Sequence, residues 1–251
     1  MTPPLFWVDQ VPRAGEQAQL TGPEGRHAVT VTRIKAGEPV ILGDGRGNRA
    51  ECTVTEVTGK DRLSVRAGRT EFTPRPAPLA TVVQALPKAE RADLAVDLMT
   101  EAGVDVIVPW QAARSIARWS GSRAVKGVDK WRATAATAAK QARRPWIPEV
   151  TDLATTIDVR ERCAAVTAGG GIVALLHEEA GTAFGSLALA EATEVMLVIG
   201  PEGGLTEEEV GDLTALGGQS VVLGPEVLRT AAAGAVALGA LGALTRRWGR
   251  R

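Results

Sequence analysis

Residues 195–209 read Val195-Met196-Leu197-Val198-Ile199-Gly200-Pro201-Glu202-Gly203-Gly204-Leu205-Thr206-Glu207-Glu208-Glu209. Five apolar residues bounded by glycine suit a strand buried on both faces, the habit of parallel sheets. Gly200-Pro201 ends it, because proline donates nothing to a ladder. Gly203-Gly204 lets the backbone turn at positive φ and lets a ligand approach closely. Thr206 with Glu209 three residues on is a capping box, so a helix starts there. Three glutamates in its first turn suit the dipole and disfavour a phosphate at that terminus. A second unit of the same plan follows: Val221-Val222-Leu223-Gly224-Pro225-Glu226-Val227-Leu228-Arg229-Thr230, then a run of Ala, Gly and Leu. Here Arg229 and Thr230 stand at the strand-to-helix turn. Each half alone is an ordinary βα turn. Two Gly-Pro-Glu loops at successive strand ends mark the place where open α/β sheets bind small molecules.

The chain has 251 residues, enough for one large or two ordinary domains, and 45% are hydrophobic. Two cysteines, Cys52 and Cys163, imply no disulfide framework and fit a reducing cytoplasm. Met1-Thr2-Pro3-Pro4 opens without the basic and apolar regions of a signal peptide. The longest uncharged apolar run, Ala231 to Leu244, is short for a bilayer and reads as a core helix. The formal net charge of zero hides an uneven spread. Residues 151–251 carry 7 basic and 13 acidic side chains, whereas residues 79–150 carry 11 and 7. Between Arg114 and Arg144 nine basic residues face one acid, Asp129, with Trp119, Trp131 and Trp146 among or beside them. Basic residues with aromatics are a footprint of nucleic-acid binding. A solvated helix face with tryptophans turned inward is the alternative.

Residues 5–72 read as all-β. The alternation in Glu51-Cys52-Thr53-Val54-Thr55-Glu56-Val57 fits a half-buried strand, and Gly43–Asn48 fits a hairpin turn rather than a phosphate loop, since no helix follows. His27 is assigned no chemistry. Residues 1–73 thus form a small barrel, and Thr73-Pro74-Arg75-Pro76-Ala77-Pro78 gives a semi-rigid linker over 74–78. From 79 to 251 strands and helices alternate. Leu79–Leu86, Val104–Pro109 and Ile172–Leu176 read as strands. A helix after Pro87-Lys88-Ala89 closes at Gly103, and another spans 129–144. The order implies a mainly parallel sheet between helices. Three loops, at His177-Glu178, Gly200–Gly204 and Leu223–Thr230, converge at strand ends. A dinucleotide fingerprint, a P-loop, a nucleophile elbow and metal-ligand spacing are all missing from the sequence.

Ile199-Gly200-Pro201-Glu202-Gly203-Gly204 followed by Leu223-Gly224 and Leu228-Arg229-Thr230 resembles the signature of the RsmE-type 16S ribosomal RNA uridine-N3 methyltransferases of the SPOUT superfamily. The likeness runs along the whole chain. Arg26, Arg33 and Gly37 resemble the start of that family's barrel. Lys88, Glu101-Ala102-Gly103-Val104 and Pro109 resemble the start of its catalytic domain. Lys130-Trp131-Arg132 with Ala139, Gln141 and Arg143 resembles its middle helix. The resemblance implies an N-terminal PUA-like β-barrel and a C-terminal trefoil-knotted α/β domain, an exception to the usual topology rules. It implies S-adenosylmethionine as cofactor, 16S rRNA of the 30S subunit as substrate, a homodimer, and neither metal nor membrane. By position, Leu176, His177, Glu178, Ile199, Gly200, Pro201, Gly203, Gly204, Leu223, Gly224, Leu228 and Thr230 would hold the cofactor. Arg26, Arg33, Lys35, Lys88, Arg114, Lys130, Arg132, Arg143 and Arg144 would hold RNA. One departure stands out: Ala231-Ala232 occupies a place where a polar pair is common, so no side-chain hydrogen bond comes from there.

Methyl transfer from a sulfonium needs positioning more than metal. Arg229 is the expected stabiliser of charge developing on the uracil oxygens. Glu202 or Glu178 is a candidate proton acceptor, with solvent equally eligible, and Glu202 has a turn-stabilising alternative. Two rivals remain open: a non-catalytic RNA-binding or ribosome-assembly protein on the same fold, and an enzyme acting on a small nucleotide. A SPOUT methyltransferase with another RNA target is a softer variant.

Overall fold

The structure is a computed structural model and describes residues 3–249, the side chains of Ala89 and Glu90 excepted. Met1, Thr2, Arg250 and Arg251, at the outer ends of the two expected domains, lie outside it. The chain divides into two compact units: residues up to Arg75 with Ala139–Ile147, and Pro76–Ala138 with the residues from Pro148 on.

The first unit is built on strands β1 (Leu5–Trp7), β2 (Gln17–Leu20), β3 (Pro39–Gly43), β4 (Asn48–Thr58) and β5 (Arg62–Phe72). Their order is β1-β3-β4-β5-β2, antiparallel except for β1 beside β3. The expected alternation holds: Ala50, Cys52 and Val54 of β4 and Leu63, Val65 and Ala67 of β5 turn inward around Phe6 and Leu42. The Gly43–Asn48 segment is a turn joining β3 to β4, tied by Asp44 Oδ1, which accepts the Arg46 and Asn48 N–H groups at 2.7 and 3.1 Å. One correction concerns residues 22–31, read from the sequence as part of an all-β stretch. They are helical, as α1 (Gly22–Arg26) followed by a π-helical turn, His27–Val31. Pro23 presets the first turn. Residue 25 is glycine because a Cβ there would stand 2.1 Å from the Asp61 carbonyl oxygen.

The second unit holds β6 (Leu79–Ala85), α2 (Ala89–Ala102), β7 (Val106–Trp110), α3 (Gly121–Gln141, whose last turn counts with the first unit), β8 (Glu149–Val150), α4 (Thr156–Ala168), β9 (Ile172–Leu176), β10 (Glu194–Ile199), α5 (Glu207–Ala215), β11 (Gln219–Val221) and α6 (Thr230–Leu244). All six strands are parallel, in the order β11-β9-β10-β6-β7-β8. The chain starts in mid-sheet, runs to one edge, then crosses β6 to lay down the other half. One face packs Val82 and Leu197 against Met99, Trp131 and Leu238, from α2, α3 and α6. The other packs Val83 and Val198 against Val159, Cys163 and Leu213, from α4 and α5. Burial on both faces explains the apolar runs of β7 and β10, and of β6 apart from the buried polar Thr81 and Gln84.

Several boundaries differ from expectation: the strand expected over Val104–Pro109 is Val106–Trp110, and α3 ends at Gln141 rather than at 144. α3 begins at Gly121, not 129, because its first turns are polar and carry no apolar period. The second strand of the organising stretch is Gln219–Val221 rather than Val221–Leu223. Val222 leaves the sheet to exchange hydrogen bonds with Thr182 and Phe184 (Val222 N to Thr182 O 2.8 Å, Phe184 N to Val222 O 2.9 Å). The glycines of α6 serve close packing within the chain. A Cβ at Gly234 would meet Met99 Sδ at 2.8 Å, one at Gly242 the Trp248 ring at 2.4 Å, and one at Gly239 the same ring at 3.4 Å.

Candidate active site

At the C-terminal ends of β9, β10 and β11 lies a cavity of about 630 Å³. Each wall is one of the three loops expected from the sequence. β9 delivers Leu176, His177 and Glu178. β10 delivers Ile199, Gly200 and Pro201, with Glu202, Gly203 and Gly204 following. The segment from β11 to α6 delivers Leu223, Gly224, Leu228, Arg229 and Thr230. The structure thus brings together all fourteen residues named for cofactor and chemistry.

Local chemistry holds these loops. The Thr206 capping box forms as expected: Thr206 Oγ1 accepts Glu209 N–H at 3.1 Å and Glu209 Oε2 accepts Thr206 N–H at 2.9 Å. Glu209 does more than the box requires. It is buried, and its Oε1 accepts the Ala113 N–H at 2.8 Å, fixing the segment after β7 against α5. Arg114 Nη1 donates to the carbonyls of Gly203 and Leu205 at 3.1 and 3.2 Å. Glycine at 203 lets the two segments close, since a Cβ there would lie 3.3 Å from Arg114 Cβ. Gly204 sits at φ +71°, where a side chain is strained. Glu202 is exposed, and its Oε1 accepts the Lys88 N–H at 3.2 Å, so it ties the Gly-Pro-Glu loop to the turn before α2. His177 Nδ1 accepts the Glu179 N–H at 3.3 Å, which leaves Nε2 to carry the proton of the neutral ring.

The lining is mixed. Four carboxylates (Glu178, Glu179, Glu202 and Glu226) and three guanidiniums (Arg91, Arg114 and Arg229) surround an apolar floor of Leu176, Ile199, Val221 and Leu223. Arg229 is exposed and caps α6 with its backbone alone, so the helix presents an uncapped N-terminus to the cavity. Apolar walls for a flat ring, opposite charges for a zwitterion and glycines for close backbone approach fit S-adenosylmethionine.

The residues named for RNA divide between the units. Arg26, Arg33, Lys35, Arg143 and Arg144 belong to the first unit, and Lys88, Arg114, Lys130 and Arg132 to the second. Arg33 and Arg143 take positive φ, +57° and +54°, uncommon without glycine. Lys130 pairs with Asp93 at 2.6 Å, and Arg132 with Asp129 and Asp152 at 3.2 and 2.9 Å.

Comparison with known proteins gives two successive matches along the chain. The family described as RNA methyltransferase domain matches residues 74–242, and that described as RNA methyltransferase PUA domain matches residues 20–67. A protein of Mycobacterium tuberculosis named ribosomal RNA small subunit methyltransferase E is 48% identical over 97% of this chain and 93% of its own. The chain belongs to the ribosomal RNA small subunit methyltransferase E family. A family member from Bacillus subtilis is 31% identical over 88% of each chain. A solved structure from Legionella pneumophila, described as a methyltransferase in complex with bound cofactor SAM, superposes with a TM-score of 0.84 at 25% identity, over 98% of this chain and 99% of that one. A Neisseria gonorrhoeae member of the family, at 24% identity, shares the fold with a TM-score of 0.85, over 97% of this chain and 98% of that one. The fold is therefore an N-terminal PUA-like domain and a C-terminal SPOUT-type α/β domain. Arg91, Glu179 and Glu226 also line the cavity of this family member but were not among the site residues named from its sequence. Arg91 lies on α2 among charged residues of a helical repeat. Glu226 was visible only as half of the second Gly-Pro-Glu.

Proposed function

We propose that this chain methylates N3 of a uridine in 16S rRNA of the small ribosomal subunit, using S-adenosylmethionine held in the strand-end cavity, and that it does so in the cytoplasm as a homodimer. The observation that carries the reading is the convergence of three separate loops, with all fourteen named residues, on one cavity. Bound there, S-adenosylmethionine supplies an electrophilic methyl group carried on a sulfonium. The backbone of 176–178, 199–204 and 223–228 would hold it, bent, in the loops of a trefoil knot. The uncapped N-terminus of α6 suits a carboxylate.

The chain's own residues then have three tasks. The first is positioning, which supplies a large share of the rate where no covalent step on the protein is needed. Arg114 and Glu209 serve it indirectly by bracing the Gly203–Thr206 turn. The second is charge. As N3 loses its proton, negative charge spreads to the uracil oxygens, and Arg229, exposed at the cavity with no side-chain hydrogen bond among the described residues, donates to them. The third is the proton. Glu178 is exposed at the cavity without a side-chain partner among the described residues, whereas Glu202 already spends one oxygen on the Lys88 N–H. We assign proton acceptance to Glu178 or solvent ahead of Glu202. Leu94 of α2 and Val236 and Leu244 of α6 are each about half exposed on two helices that pack together, apolar surface that a second copy would cover.

The test is incubation of 30S subunits lacking the modification with labelled S-adenosylmethionine, followed by reverse transcription. A methyl on N3 blocks base pairing, so a single new stop at a uridine is expected. Cofactor binding without any label in RNA would point instead to the non-catalytic assembly protein. Label at a residue other than uridine would refute the N3 assignment.

A further inference from the structure

A second cavity, of about 420 Å³, belongs wholly to the first unit. Its volume lies inside the range of about 300–1,000 Å³ usual for small-molecule sites. Phe72, the last residue of β5, lines it and is 60% exposed. The ring is held in place. It meets the Trp146 ring in a T-shaped contact, with centroids 6.1 Å apart and planes at 78°. Trp146 in turn donates its N–H to the Thr73 carbonyl at 2.7 Å and carries the Arg75 guanidinium 4.5 Å above its ring. Glycine at 47, with φ +99°, makes room for the pair, since a Cβ there would stand 2.8 Å from both rings. The steep contact fixes Phe72 on one side, and the ring stays 60% exposed.

The polar lining keeps unspent hydrogen-bonding capacity. Arg49 reaches the cavity with Nη2 paired to Glu71, and among the described residues its buried Nε–H has no partner. Asn48 spends Nδ2 on Asp44, and its Oδ1 has no partner among the described residues. Charge decides which part of a nucleic acid suits the place. Asp9, Asp44 and Glu71 outnumber Arg13 and Arg49 in the lining, so a phosphate would meet net repulsion, whereas an uncharged base would not. An exposed aromatic platform beside an amide and a guanidinium is how single-stranded bases are recognised in RNA.

We propose that this cavity is a nucleobase pocket, in which an unpaired base of the RNA stacks on Phe72 with its polar edge toward Asn48 and Arg49. The proposal rests on RNA being the substrate. It gives the barrel a task distinct from charge attraction: it reads an unstacked base near the target, so single-stranded or looped RNA is preferred over a duplex.

The experiment is fluorescence anisotropy of the full chain with labelled short oligouridylate and oligoadenylate single strands, and with an RNA duplex of equal length. Wild type is compared with Phe72→Ala, Phe72→Trp and Asn48→Ala. Phe72→Ala is expected to weaken single-strand binding about ten-fold, as removal of one stacking platform does. Phe72→Trp retains binding, and Asn48→Ala weakens one of the two sequences more than the other. The slope of binding against salt stays unchanged in Phe72→Ala because no phosphate contact is lost, and duplex binding is the same as wild type. Equal single-strand affinity of wild type and Phe72→Ala overturns the pocket while leaving the RNA-substrate reading intact, as does an equal loss on the duplex. Failure of wild type to bind any of the RNAs overturns both.

Discussion

Arg247, in the short helical turn at 246–248 after α6, closes the second unit. Its guanidinium donates to Asp105 Oδ2 at 2.8 Å and to the carbonyls of Pro76, Pro78 and Gly103. The pair is deeply buried, the side chains being 5% and 0% exposed. Arg247→Met keeps most of the stem and removes the charge, leaving a carboxylate in the interior without its cation. Breaking a buried pair from one side costs about 3–5 kcal/mol. Asp105 Oδ2 retains the Ala80 N–H at 2.9 Å, so the lower end, about 3 kcal/mol, applies. For a chain of this size each kcal/mol moves the melting temperature by about 2–4 °C, so Arg247→Met should melt about 6–12 °C below wild type. Calorimetry with urea titration reads this directly. The double variant Arg247→Met with Asp105→Asn should recover part of the loss, because the stranded charge is gone. Cofactor affinity at temperatures where both fold should be unchanged, as Arg247 is not at the cavity. A fall of less than about 2 °C, or a double variant worse than the sum of its parts, would refute the reasoning.

At the active site, Arg229→Ala should lower the single-turnover methylation rate about ten- to a hundred-fold, the worth of a charge-assisted hydrogen bond made mainly in the transition state; a loss smaller than about three-fold would remove Arg229 from that role. Burial, then the nearby Glu101 and Asp93, raises the Asp97 carboxyl above its ordinary value. Ionised Asp97 therefore weakens the fold once pH rises through its folded value, and the penalty is absent below the unfolded value of about 3.9. Asp97→Asn should accordingly raise the melting temperature by about 1 °C at neutral pH, with the gain vanishing in acid; a gain that persists at pH ~3 would contradict this. Burial pushes the Cys52 thiol up to about 11 and raises that of Cys163. Neither should react with an aromatic disulfide at pH ~8 until urea unfolds the chain, and a thiol titrated at once in native buffer would show that one is open.

What the sequence made legible was chemistry confined to a few neighbouring residues. The Gly-Pro-Glu-Gly-Gly turn, the capping box at Thr206 and Glu209, and the buried strands ending at Leu176 and Ile199 each follow from short-range rules, and each stands where those rules put it. The strand order was not legible, because hydrophobic period says that a strand is buried but not beside which other. Nor was the Phe72–Trp146 contact, whose partners are far apart in sequence, or the closure by Arg247, which reads as one arginine in a basic tail. The basic segment from Arg114 to Arg144 shows why counting charges goes astray. Arg114 and Arg118 spend their guanidiniums on the carbonyls of Gly203, Leu205, Ala112 and Ala113. Lys130 and Arg132 pair with Asp93, Asp129 and Asp152. Lys140 is held by Glu24 at 2.6 Å and lies 4.9 Å from the centre of the Phe6 ring. At least five of the nine cations therefore have internal partners, and Trp119 and Trp131 pack edge-on against each other rather than offering platforms to bases. A sequence reports the cations of a segment, but only the fold reports which of them have already been neutralised. The salt dependence of RNA binding should accordingly reflect fewer phosphate contacts than that segment's composition implies.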